Sequence, residues 1–137
     1  MAAASFHASI PPSHFDLSSL RHEVRAWLDS RPDSDRPPSA DVDIVVTELV
    51  ANAIDHTDAP AIDLTVVAEG PTLRVVVAND RGPEELVLAS AWAESGVRGR
   101  GLRIVGALSA DLRLQTENGR SVVVAELVGE RQAAREA

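Results

Sequence analysis

Glu48 and Asn52 are the residues best placed to do chemistry in this sequence, four positions apart near the end of a strongly apolar stretch. On a helix, that spacing puts both side chains on one face. A carboxylate that can take a proton then stands beside an amide oxygen that can hold a hard cation. Mg²⁺ takes oxygen ligands in an octahedron and commonly keeps waters and phosphate oxygens among them, so one Asn oxygen is enough protein for it. Glu48, one turn earlier, is placed to deprotonate a hydroxyl or water attacking a terminal phosphate. The plainer alternative is a pair that only solvates a helix flank.

Two later segments supply what such a pair would need. Asp80 follows an apolar strand-like run and precedes Gly82, which lets a backbone approach a ligand closely. A carboxylate there can accept from the exocyclic amine of adenine, although an Asp-Arg-Gly turn of no chemical consequence would read the same way. Further on, Gly99, Arg100, Gly101 and Leu102 lead into a helical pattern. Glycines ahead of a helix leave backbone N–H groups free to cradle phosphates at the positive end of its dipole. A flexible connector explains the glycines but not the arginines around them, Arg98, Arg100 and Arg103, in an acidic chain.

Composition narrows the classes. The net charge of -8 argues against nucleic acid as a direct ligand and favours a basic protein partner. All 13 basic residues are arginine. Without lysine there is neither a Walker A loop nor an ordinary protein-kinase site, because both set a lysine on the phosphates. The chain has no cysteine, so disulfides and thiolate metal sites are out, which fits the cytoplasm. No apolar run approaches the roughly 18 residues of a membrane span, and the first residues carry no secretory pattern. At 137 residues, 45% hydrophobic and 3% aromatic, the chain reads as one domain with an aliphatic core.

These candidates need a scaffold. Residues 1–14 read as an N-terminal segment with a first strand over Ser5 to Ile10. Leu17, Leu20, Val24, Trp27 and Leu28 recur at helical spacing, opening at Asp16 or Ser18 and ending near Ser30. Ser39 is suited to cap a second helix, with Asp41 in its first turn. Val42, Val45, Val46, Leu49, Val50, Ala53 and Ile54 form its apolar stripe, and Glu48, Asn52 and Asp55 a polar shoulder beside it. Ile62 to Val66 and Leu73 to Ala78 read as antiparallel strands around Gly70-Pro71, the second central. Pro83 to Gly101 reads as irregular with a short helix near Leu86 to Ala93, and Leu102 to Leu108 as helix. Leu112 to Leu114 and Ser121 to Leu127 make a hairpin across Asn118-Gly119. A charged tail follows over 129–137. The expected fold is an α+β two-layer sandwich, a mixed, mostly antiparallel sheet covered on one face by helices.

In this order and spacing the motifs resemble the Bergerat-fold (GHKL) ATP-binding proteins, among them the histidine-kinase-like ATPase domains. Within that superfamily the chain is most similar to the small anti-sigma-factor serine kinases. Thr47-Glu48-Leu-Val-Ala-Asn52-Ala-Ile-Asp-His56 matches the N-box, Val77-Ala-Asn-Asp80-Arg-Gly82 the G1 box, and Gly99-Arg100-Gly101-Leu102-Arg-Ile-Val105 the G2 box. The likeness covers residues 15–128. It implies ATP and Mg²⁺ as cofactors: Asn52 as metal ligand, Asp80 and Gly82 at the adenine, Gly99 to Leu102 around the phosphates, and Glu48 as general base. Ser121 stands where the family often has a threonine near the phosphates, and Gly82 is followed by Pro83-Glu84 instead of leading to a second glycine. The resemblance further implies a sigma factor and an anti-anti-sigma protein as partners, and a homodimer for which the first helix with Trp27 could supply a face. The other class of function open to the sequence is a nucleotide-gated binding module without kinase activity. His7, His14 and His22 have no carboxylate at ligand spacing, and His56 reads as a helix-end residue.

Overall fold

The computed structural model describes residues 4–11, 17–30, 36–55, 61–79, 97–117 and 120–129, with backbone alone at 55, 97–102, 116–117 and 121. The elements are β1 (Ala4–Ile10), α1 (Leu17–Asp29), α2 (Ser39–Asp55), β2 (Ile62–Glu69), β3 (Thr72–Asn79), α3 (Val97–Leu108), β4 (Asp111–Glu117) and β5 (Arg120–Val128). The five strands form one sheet in the order β1-β2-β3-β5-β4, so β3 is central as expected. Every pairing among them is antiparallel, which replaces the mixed sheet of the sequence reading.

Alternation decides which face of the sheet meets the helices. Ile62, Leu64, Val66 and Ala68 of β2 are buried on one face, and Leu73, Val75 and Val77 of β3 continue it. Val123, Ala125 and Leu127 extend it across β5, with Leu112 and Leu114 of β4 packed at its rim. The opposite face carries a small cluster of its own, Val76, Ala78, Val122 and Val124, formed by the cross-strand pairs Val76↔Val124 and Ala78↔Val122. Gly70 turns β2 into β3 with φ +60, and a proline follows it. That is the sign pattern of a type II′ hairpin turn, which matches the right-handed twist of the strands.

The central helix is α2, packed on β2 and β3. Val42, Val45, Val46, Leu49, Val50 and Ala53 are all buried as the stripe requires, and Ile54 packs at its edge. Its cap differs from the expectation. The Pro38 carbonyl accepts from the N–H groups of Asp41 (3.0 Å) and Val42 (3.2 Å), so Pro38 occupies the cap and Ser39 lies inside the first turn. The Ser39 hydroxyl instead accepts from Arg36 at 3.4 Å. Arg36 also donates to the Leu28 carbonyl and to Asp29, tying the end of α1 to the start of α2.

Leu20, Val24 and Leu28 bury one face of α1, and the Arg25–Asp43 ion pair fastens it to α2. Trp27, expected to offer a face to a second copy, is partly buried and tilts against Phe6 of β1 at a centroid distance of 6.1 Å. α3 packs against α2 and touches β4 and β5. No helix among the described residues is long and apolar enough to cross a membrane.

Candidate nucleotide-binding site

Strand register gathers four chain segments at one end of the sandwich. The pairs Ile10↔Ile62, Asp63↔Ala78, Asn79↔Ser121 and Thr116↔Ser121 mark one edge row of the sheet. The end of β3 and the start of β5 therefore lie side by side there. α2 ends at Asp55, and six residues, 56–61, link it to β2, whose start lies in this row. The last turns of α2, with Asn52, are thus held at the same end. Residues 109–110 join α3 to β4, which begins at the opposite end with Asp111↔Glu126. So short a link reverses the chain, and the twelve residues of α3, about 18 Å of helix, reach back with the N-terminus toward the Asn79 row.

Asn52 and Asn79 are the only buried polar or charged residues among those described, 7% and 5% exposed. Burial of an amide demands partners. Asn52 Oδ1 has none among the described residues. Glu48, one turn back on the same face, is half-buried. An orphaned amide oxygen beside a carboxylate is a donor set that suits a hard cation already carrying phosphate and water ligands. The residues fit Mg²⁺ in that limited sense: Asn52 would hold it, and the remaining oxygens would come with the nucleotide.

The helix at the phosphate segment starts earlier than the sequence reading places it, at Val97 instead of Leu102. Gly99, Arg100, Gly101 and Leu102 therefore lie within the first two turns of α3, not in a loop ahead of it. A glycine lowers helix propensity by about 1 kcal/mol without forbidding the helix, and packing of α3 against α2 outweighs that. The first four N–H groups of a helix have no intrahelical acceptor. Those of Val97, Arg98 and Gly99 are therefore left open to an external acceptor, as free loop amides would be. Ser121, the second residue of β5, is the register partner of Asn79. Asp80 and Gly82 lie outside the described residues, as do the short helix near Leu86 to Ala93, His56 and residues 130–137.

Asn79 was not among the sequence candidates. Its signal was present, because the alternation Leu73, Val75, Val77 carries position 79 onto the helix-facing side. The described surface also has two depressions away from this end or face. One, about 680 Å³, is an open groove along α1 that includes Arg25 and Asp43. Asp43 is nine residues before Asn52, about 14 Å along α2. The other, about 290 Å³, lies on the outer sheet face, where Arg120 pairs with Asp63 at 2.5 Å. Asp43 Oδ1 and Thr47 Oγ1 are also buried without a partner among the described residues, and of the three Asn52 is the one on the last turns of α2, at the end of the sheet marked by Asn79↔Ser121.

The comparisons agree with this geometry. Residues 10–127 match the family model of the histidine kinase-like ATPase domain. The chain belongs to that family, and the five-stranded antiparallel sheet with its helical layer is its ATP-binding fold. Among solved structures, the RsbU and RsbW domains of Rv1364c from Mycobacterium tuberculosis superpose with a TM-score of 0.65 at 19% identity, covering 92% of this chain and 32% of the other. The histidine kinase domain of the Erythrobacter litoralis EL346 blue-light activated histidine kinase gives 0.53 at 20% identity, with 91% and 64% covered. The chain thus spans about a third of the first of these proteins and just under two thirds of the second. A search of curated proteins finds no match.

Proposed function

We propose that this chain is an ATP- and Mg²⁺-dependent protein serine/threonine kinase of the anti-sigma-factor type. It phosphorylates a small anti-anti-sigma partner, binds a sigma factor, and acts in the cytoplasm. The observation that carries this reading is the buried, unpartnered Oδ1 of Asn52, one turn from Glu48 at the end of the fold where α3 presents its N-terminus. Family membership supports the nucleotide, and the likeness to a structure containing an RsbW domain supports the direction of the regulatory reading.

In this mechanism the N-terminal amides of α3, with Gly99 to Leu102, hold the triphosphate, and Ser121 borders the phosphates. Gly82 allows the backbone to approach the base near Asp80. A bound Mg²⁺ would neutralise charge on the β- and γ-phosphates, with Asn52 Oδ1 as its protein ligand. Glu48 takes the proton of the partner's serine hydroxyl as its oxygen bonds to the γ-phosphorus. The bond from that phosphorus to the β–γ bridging oxygen breaks, ADP departs, and Glu48 releases its proton to solvent.

Incubation with labelled ATP and candidate partner proteins tests the proposal. Glu48→Ala should lower phosphoryl transfer by about 10²–10⁴-fold with nucleotide affinity nearly unchanged. Equal loss of both would make Glu48 structural. The second reading, a nucleotide-gated binding module, is favoured by Pro83-Glu84 in place of a second glycine after Gly82. It requires that ATP bind and no partner become labelled.

A further inference from the structure

We infer that the solvent-facing ridge of α2 is the docking track for the protein substrate, with Ile44 seating an apolar side chain two residues from the phosphoacceptor serine. The inference deepens the kinase reading above and rests on it. Its starting point is a departure from the ordinary surface helix, which carries charged and polar residues opposite its buried stripe. At 3.6 residues per turn, the side of α2 opposite the stripe of Val42 to Ala53 holds Ala40, Ile44, Thr47, Glu48 and Ala51. Among the described residues of α2 only Ala40 and Ile44 are exposed, and neither is charged. A quarter of the chain is charged, yet the outward ridge of its central helix has one carboxylate, Glu48.

A single exposed aliphatic side chain is ordinary on a protein surface. The position of Ile44, 39% exposed, is what gives it meaning. It stands one turn before Glu48 on the same face, and Asn52, with its buried and unpartnered Oδ1, follows one turn later. The uncharged ridge therefore leads into the candidate site. A general base acts only on a hydroxyl brought within hydrogen-bond reach, so the substrate has to be held against this part of the helix. Ile44 and Glu48 are separated by about 6 Å along the helix axis. An extended segment covers nearly the same length, about 6.6 Å, in two residues. Residues two apart in such a segment project to one side. A serine reaching Glu48 then brings the side chain two positions away onto Ile44, and an apolar one suits it. Ala40 and Ala51, small residues at either end of the ridge, leave room for a backbone to approach.

The protein that becomes labelled in the ATP assay above serves as the probe, with its phosphoserine mapped. Ile44→Gln keeps a good helix former at an exposed position and removes the apolar contact. It should raise KM for that protein about tenfold, with kcat and ATP affinity nearly unchanged, the pattern of lost uniform binding. Ile44→Leu should restore most of it. Serine in place of the substrate's apolar residue two positions from the phosphoserine should raise KM similarly, and it reads the same contact if Ile44→Gln does not fold. The two changes together should cost little more than either alone, because they remove one contact. Unchanged KM in Ile44→Gln overturns the inference and leaves the kinase standing. So does a phosphoserine with no apolar residue two positions away, or a double change whose effects simply add. Equal loss of ATP affinity would make Ile44 structural. A dimer that Ile44→Gln dissociates, with KM unchanged, gives the ridge to a second copy and overturns the inference. ATP binding with no protein labelled removes the kinase reading, and the docking track with it.

Discussion

A buried polar atom without a partner costs roughly 1–3 kcal/mol of stability, and among the described residues Asn52 Oδ1 has no partner. Evolution commonly tolerates that strain where a ligand relieves it. Asn52→Leu, with the same branching at Cγ, should therefore stabilise the nucleotide-free protein by about 1 kcal/mol in urea unfolding and should remove the Mg²⁺ dependence of ATP binding. A loss of stability with binding intact would show that Oδ1 serves the fold instead. At this scale the sequence was informative but incomplete. Glu48 and Asn52 were legible because helical spacing declares a shared face. Asn79 was overlooked because a lone amide at a strand end carries weight only once register shows that it points inward. Asp80 and Gly82 were legible only as motif, and motif does not locate a side chain.

Among the described residues, Arg36 makes the contacts that tie the end of α1 to the start of α2. Arg36 donates to the Leu28 carbonyl and reaches Asp29 and Ser39, which closes the exposed end of α1 over the start of α2. Its planar fork suits several acceptors at once. Arg36→Ala should cost about 1–3 kcal/mol by chemical denaturation, and Arg36→Lys should recover only part of it, since an ammonium cannot span the same acceptors. A fully restored lysine variant would reduce the role to charge alone. The helices and the hairpins were readable from period and turn residues. The cap of α2 and the start of α3 were not, because both ends are set by competition. Arg36 claims the Ser39 hydroxyl, leaving the cap to the Pro38 carbonyl, and contact with α2 extends α3 through two glycines that local propensity alone would exclude.

For the molecule as a whole, ligand binding and folding are linked. A ligand held only by the native state adds RT ln(1 + [L]/Kd), about 2.7 kcal/mol at a hundredfold excess over Kd. For a domain of this size that corresponds to an upward shift in melting temperature on the order of 10 °C. ATP with Mg²⁺ should produce it, and Asn52→Ala should lose the part that Mg²⁺ contributes. A melting curve indifferent to ATP at millimolar concentration would contradict the nucleotide site. The sheet order was the least accessible property from sequence, since it depends on β5 inserting between β3 and β4.

The register has one more consequence. β1 begins with Ala4 opposite Ala68, and β5 finishes with Val128 opposite Thr72. The first strand in the chain thus starts, and the last one stops, at the pole farthest from Asn79, about 14 Å apart across three strand spacings. A surface, a fluorophore or a neighbouring module attached at either of these strand ends is joined at the pole opposite the row of Asn79 and Ser121.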